Sequence, residues 1–385
     1  MTVETNWAFW TALAAVSAIG YVLAGYPLLL AFLARRSRPS HAADIHPTVS
    51  VILPVRNGAP WLADKLESIL QQSYPAGRME ILVVSDASDD NTDEIAAGFS
   101  AQGVHVARLP RGGKAAALNY AIPRMNSEVL LLTDVRQKLA PDCLQRLVSR
   151  FADPDVGVVS GDLVILSGKS AGEASTGLYW RYETWIRHNL SAVDSLLGAT
   201  GPIYAIRRKL AVSIPSETLL DDVYLPMMAL RQGYRLILEP RAKAYDFPTS
   251  LASEFRRKVR TQAGIYQLLR LAPWMFTPAN RVCFHFLSLK VGRLLLPFFL
   301  LLLAFSTPFL PSLWLFPAAA GQIGFYSLAA LDDVVSEGNT LKRLTAPARA
   351  FVVLILAALR AVSVFFVDPR SLWKETVVGE AAVKR

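Results

Sequence analysis

Val49-Ser-Val-Ile-Leu-Pro54 is a short β-branched run that closes on Val55-Arg56-Asn57, and Trp61–Gln72 follows it with Leu62, Leu66, Ile69 and Leu70 at helical spacing. The same alternation recurs downstream. Ile81–Ser85 (ILVVS), Val104–Leu109 and Val129–Thr133 (VLLLT) read as strands, Lys114–Met125 as a helix, and Val156–Gly161 as a fifth strand. Strands that alternate with helices predict an α/β domain with a mostly parallel sheet covered on both faces. Sheets of this kind bind ligands beyond the carboxyl ends of their strands, near the point where strand order reverses.

Polar residues gather at those ends. Pro54-Val-Arg56-Asn57 follows the first strand, and Ser85-Asp86-Ala-Ser88-Asp89-Asp90-Asn-Thr92 the second. Arg111-Gly112-Gly113-Lys114 follows the third and opens a helix containing Asn119, and Thr133-Asp134-Val135-Arg136 follows the fourth. A glycine-rich turn with a lysine at a helix start suits phosphate. Acids beside it suit a base, a ribose or a divalent cation. Taken singly, Asp86, Ser88 and Asp90 read equally well as turn and capping residues.

Of the 385 residues, 52% are hydrophobic and 18% charged, against about 25% charged in ordinary soluble proteins. The deficit lies at the two ends. Trp7–Ala34 is an uncharged run of 28 residues and Leu294–Leu331 one of 38, the second broken by Ser306-Thr-Pro308 and Pro311. About 20 residues cross a bilayer, so the first predicts one spanning helix and the second a tight hairpin. Arg35, Arg36 and Arg38 after the first run, and Lys342, Arg343 and Arg349 after the second, place the middle of the chain in the cytoplasm by the positive-inside rule. Ala350–Val367 contains Arg360 and reads either as a third C-terminal span or as an interfacial helix. The expected division is a membrane anchor at 1–38, a sheet domain at 45–250, a basic interface segment at 251–293, a hairpin at 294–331, and a loop, third helix and tail at 332–385.

The net charge is +9, and Leu251–Leu300 holds eight basic residues against one acid, Glu254. This stretch runs into an apolar segment, which points to an anionic membrane surface and not to nucleic acid. Cys143 and Cys283 have no metal or disulfide spacing.

The stretches VSVILPVRN (49–57), EILVVSDASDDNT (80–92), RGGKAAALNYAI (111–122), LLLTDVRQKLAP (130–141), TLLDDVYLPMMALRQGYRLILEP (218–240) and EFRRKVRTQAG (254–264) resemble, in order and spacing, the membrane-bound family 2 glycosyltransferases. These have the GT-A fold and include the cellulose-, chitin- and hyaluronan-synthase relatives. The resemblance implies that Pro54, Arg56, Asp86, Lys114, Asn119, Asp134 and Arg136 line a nucleotide-sugar site. It places Asp86 at the base or ribose, Lys114 near the nucleotide, and Asp134 as the first acid of the Asp-x-Asp element. Asp222, second of the Asp221-Asp222 pair, takes the general-base position; the bland alternative is an acidic pair capping a helix near Val223. Asp221, Arg257, Arg260, Thr200 and Gly201 fall on the diphosphate or acceptor side.

Three departures stand out. Gly58 replaces the glutamate of the family's Pro-x-x-Asn-Glu element. Arg136 occupies the second Asp-x-Asp position, usually the more direct ligand of Mg2+ or Mn2+. Either Arg136 supplies the cation itself, or it pairs locally and Asp134 still holds a metal. Thr261 follows Arg260 where processive synthases carry a tryptophan.

The expectation is therefore an inverting transferase in the inner (plasma) membrane. It would move a sugar from a nucleotide-diphosphate sugar, a UDP-sugar in the leading version, to a lipid-linked or polysaccharide acceptor in envelope glycolipid or exopolysaccharide synthesis. A processive synthase, completed by a partner subunit, and a non-catalytic scaffold are the alternatives.

Overall fold

The computed structural model describes residues 7–37, 39–75, 77–166, 171–247, 251–336 and 339–372, with side chains of 171–180, 251, 252 and 370 left aside. Arg38, the side chain of Trp180 and the tail from 373 lie outside what is described. The chain divides into two compact units, one built from residues 33–166 and 187–248, the other from the N-terminal helix, 167–186 and 249–377.

The first unit is an eight-stranded mixed sheet. In chain order the strands are β1 (Val49–Val55), β2 (Met79–Asp86), β3 (Val104–Leu109), β4 (Val129–Leu132), β5 (Lys138–Leu139), β6 (Val156–Ile165), β7 (Tyr204–Arg207) and β8 (Arg235–Asp246). The spatial order is β3-β2-β1-β4-β7-β6-β8-β5. β1, β2, β3 and β4 are mutually parallel, as is the β6–β8 pair, whereas β7 runs antiparallel between β4 and β6. The α/β class expected from the alternating pattern is the one observed.

β1 is central, and Val49, Val51, Ile52 and Leu53 are wholly buried, which is why its sequence reads as a continuous apolar run. The order reverses between β2-β1 and β4, so the crevice beyond Val55 and Leu132 is the switch point. The helix at Ala59–Leu70 turns Leu62, Leu66 and Ile69 into the core. β8 tolerates Pro240 because its register against β6 shifts there, releasing the strand from regular pairing.

The second unit is helical. Among the described residues, four helices are long and apolar enough to cross a bilayer: Trp7–Ala34, Cys283–Phe309, Ser312–Leu331 and Lys342–Phe365. Pro311 breaks the long second run between Phe309 and Ser312, where the sequence placed the hairpin turn. Leu313 and Phe316 are 74% and 72% exposed, a surface suited to lipid and costly in water. The first part of the basic stretch forms the helix Leu251–Leu271, in which Glu254 pairs with Arg257 at 2.8 Å. In the same unit Arg293 meets Glu183 at 2.6 Å. Burial would raise the Glu183 pKa, but Arg293, Lys258 and Lys290 outweigh it and hold the carboxyl ionised.

Candidate active site

Four strand ends converge on the switch point, and each has a local reason for its shape. At the end of β2, Asp86 accepts hydrogen bonds from the N–H groups of Gly112 (2.6 Å) and Gly113 (3.0 Å). Gly113 holds φ at +82°, and a Cβ on Gly112 would stand 2.7 Å from that of Ala116. Both glycines are thus needed for a turn that opens directly into the helix Gly113–Ala121 and aims Lys114 back across the sheet.

Lys114 Nζ lies 2.9 Å from Asp134 Oδ1, beyond the end of β4, and 3.1 Å from Asp221 Oδ2. Burial alone would lower the lysine pKa, but Asp134, Asp221 and Asp222 together drive it well above its ordinary value. Lys114 is therefore a fixed cation among three carboxylates. Asp221 and Asp222 start the helix Asp221–Arg231, where the backbone dipole favours negative charge; Leu220, not an acid, is the residue that caps it. Asp221 is only 4% exposed.

The loop at 198–201 is moulded onto Asp222. Ala199 N–H donates to the Asp222 carbonyl at 2.7 Å, and a Cβ on Gly201 would come within 3.0 Å of Asp222 Oδ2. Thr200 is pinned from below: its N–H reaches Ser160 Oγ at 2.9 Å and its hydroxyl receives Arg187 Nη2 at 2.9 Å.

Other residues singled out from sequence sit differently. Arg136 forks onto Asp246 at the end of β8, with Nε 2.8 Å from Oδ1 and Nη2 2.6 Å from Oδ2. Asn119 donates from Nδ2 to the Ile214 carbonyl at 2.7 Å and accepts the Ile214 N–H at Oδ1 at 2.8 Å. Pro54 lies within β1 and pairs in register with Val84, and Arg56 reaches Asp89 at 3.7 Å. Arg257 and Arg260 belong to the Leu251–Leu271 helix of the helical unit. Asp90 and Thr92 serve the start of the Ala59–Leu70 helix, accepting the N–H groups of Ala59 and Gly58 at 3.0 and 2.8 Å. At Gly58 itself a Cβ would fall 2.4 Å from Val55 Cγ2 and 3.2 Å from Val135, so this turn has closed over the space that a side chain there needs.

Sequence reasoning missed two buried polar residues here. Tyr204 is fully buried and its phenol is pushed well above its usual pKa by burial and by Asp221, Asp222 and Asp134. Lys65 is fully buried beneath the Asp134 loop. Its signal was present: positions 62, 65, 66 and 69 share one helix face, and a lysine interrupts that apolar stripe.

The profile of the glycosyl transferase family 2 domain matches residues 50–212, which include the ends of β1, β2, β3 and β4. The chain carries a family 2 glycosyltransferase domain. Among curated relatives of this glycosyltransferase, an N-acetylglucosaminyltransferase of Rhizobium leguminosarum bv. viciae is 28% identical over 293 residues, covering 68% of this chain and 67% of that protein. A beta-monoglucosyldiacylglycerol synthase of Trichormus variabilis is 25% identical over 191 residues, covering 46% and 40%. The match thus spans about two thirds or less of these relatives' lengths. Among solved structures, a mannosyltransferase of Pyrobaculum calidifontis, in complex with GDP-Man and Mn2+, superposes with a TM-score of 0.70 at 23% identity, over 91% of this chain and 99% of that one. That likeness extends the GT-A fold to this glycosyltransferase.

Proposed function

We propose that this glycosyltransferase is an inverting enzyme of the inner membrane. It would move an N-acetylhexosamine or hexose from a UDP-sugar to a lipid-linked or polysaccharide acceptor in envelope glycolipid or exopolysaccharide assembly. The observation that carries the reading is the juxtaposition of Asp222, tight against the glycine loop 198–201, with the Lys114–Asp134–Asp221 cluster. An acceptor hydroxyl beside Gly201 gives its proton to Asp222 as its oxygen bonds to the anomeric carbon. The bond from that carbon to the diphosphate breaks, and Lys114 stands as a fixed cation for the departing charge. The curated relatives support the sugar class, the four apolar helices among the described residues support a multi-pass setting, and the basic residues flanking them support a cytoplasmic sheet unit.

Three carboxylates against one lysine leave the cluster with excess negative charge, and oxygen donors of this kind suit Mg2+ or Mn2+. No preformed group of three ligating side chains exists among the described residues. Such an ion would be held by carboxylates of this cluster. Asp134 would hold it; Arg136, engaged by Asp246, is not needed as its substitute. When bound, the ion would supply Lewis-acid stabilisation of the leaving diphosphate.

The test uses the full chain in lipid nanodiscs with a panel of nucleotide-diphosphate sugars and a native lipid extract. Nucleoside-diphosphate release is followed with Mn2+, with Mg2+ and with EDTA, for wild type and Asp222→Asn. Release from one donor, lost in Asp222→Asn, is the expected result. Equal release by both proteins would remove Asp222 from the general-base role.

A further inference from the structure

Lys65 is fully buried on the Ala59–Leu70 helix, and among the described residues no carboxylate lies within ion-pair distance of it. Its Nζ donates instead to two neutral oxygens, the Thr133 hydroxyl at 2.7 Å and the Gln137 carbonyl. Those two residues bracket the segment bearing Asp134 and Arg136. The Thr133 hydroxyl passes the connection on, donating to the Pro202 carbonyl at 2.7 Å. Pro202 directly follows Thr200-Gly201, the loop that packs on Asp222. One buried amine thus ties both ends of the Asp134 segment and, through one hydroxyl, the loop on the other side of the site.

Stability does not account for this arrangement. Burying a lysine without a counter-ion costs several kcal/mol, and a methionine at 65 would continue the stripe of Leu62, Leu66 and Ile69 without that cost. A shared anchor beneath two loops is what a two-substrate reaction requires, because the donor carbon and the acceptor hydroxyl must be held in register.

We propose that Lys65 is a positioning residue, fixing the donor-side segment that carries Asp134 and the acceptor-side loop that packs on Asp222 in one common geometry. The inference rests on the donor and acceptor assignment proposed above. Its consequence is coupling: with the tether cut, the donor is still cleaved, but water competes with the acceptor for the sugar.

Three variants of the full chain in nanodiscs test it. Lys65→Met removes the amine, and Thr133→Val keeps shape but removes the hydroxyl that joins Lys65 to Pro202, and with it one of the two Lys65 acceptors; Thr133→Ser keeps the hydroxyl. Amide hydrogen exchange requires no turnover, so the tether is tested separately from the functional reading. Both Lys65→Met and Thr133→Val are expected to speed exchange at least tenfold at residues 199–204, with β1 and β4 protected as in wild type and Thr133→Ser unchanged. In the transfer assay both should raise the ratio of donor hydrolysis to sugar transfer at least fivefold, with kcat for transfer falling more than KM rises. Faster exchange spread evenly through the sheet, or an unaltered ratio, would overturn the proposal. Absence of any donor cleavage by the wild type would instead count against the transferase reading, leaving the exchange arm to decide the tether.

Discussion

Arg136 holds Asp246 through two parallel hydrogen bonds, and Asp246 is 1% exposed. Bidentate pairing of this kind is the geometry for which guanidinium is suited. Gln137 Nε2 adds a third contact to the same carboxylate at 2.8 Å. The arginine that replaces an acid in the Asp-x-Asp element therefore closes the loop onto β8.

From this pair follows a stability prediction. Removing one partner of a buried ion pair costs about 3–5 kcal/mol because the other charge is stranded. Arg136→Met should lower the melting temperature by roughly 10 °C. The double variant Arg136→Met/Asp246→Leu should recover most of that loss, read as a non-additive double-mutant cycle. A cycle that adds up linearly would show that the two side chains do not act as a pair.

The same geometry bears on metal dependence. In the proposed reading Asp134 holds a divalent cation, and Arg136, its guanidinium engaged by Asp246, is not its substitute. EDTA should abolish transfer and Mn2+ or Mg2+ restore it, with Asp134→Asn raising the metal concentration needed by about tenfold. Full activity in EDTA would contradict this and return the cationic role to Arg136.

Gly201 makes a narrower prediction. Its φ lies outside the left-handed region, so alanine brings no backbone strain. The added Cβ would nonetheless sit 3.0 Å from Asp222 Oδ2 and push the carboxylate by a few tenths of an ångström. Since misplacement by about 1 Å can cost a hundredfold, Gly201→Ala should lower kcat by roughly tenfold while leaving the melting temperature within about 2 °C. An equally large loss of stability would mean that the loop, and not the base, had moved.

How far the sequence foretold this site depends on the kind of signal each residue leaves. Lys114, Asp134 and the Asp221-Asp222 pair follow recognisable strand or helix boundaries, and the structure brings Lys114, Asp134 and Asp221 within ion-pair distance. β7 was not legible, because four residues, Tyr204–Arg207, give too short a run to show a period. β8 was hidden by Pro240, whose tolerance depends on a register shift visible only in three dimensions. The arginines of Leu251–Leu271 were legible as part of a basic segment, but charge count alone showed neither that they share a helix nor which groups they meet. Lys65 was passed over: its place on the apolar face of Leu62, Leu66 and Ile69 is visible in the sequence, but burial of a charge is decided by what lies across the sheet, here Thr133 and Gln137.

Lys65 also sets a pH dependence. Burial pulls its pKa down to about 7, with Cys143 and Asp134 acting weakly in the opposite sense. In the unfolded chain the same amine holds its proton to about pH 10.4. Between those values the unfolded state binds the extra proton, so folding stability rises with pH, by at most about 1.4 kcal/mol per pH unit. Below pH 7 both states are protonated and this contribution is flat. The wild type should therefore gain melting temperature on Lys65→Met between pH 7 and pH 9, the methionine variant being the more stable at pH 6.5. The measurement is a pair of thermal melts of the full chain across that range. Parallel curves would show that the amine keeps its proton in the folded state, and that its two neutral acceptors suffice to hold a buried cation.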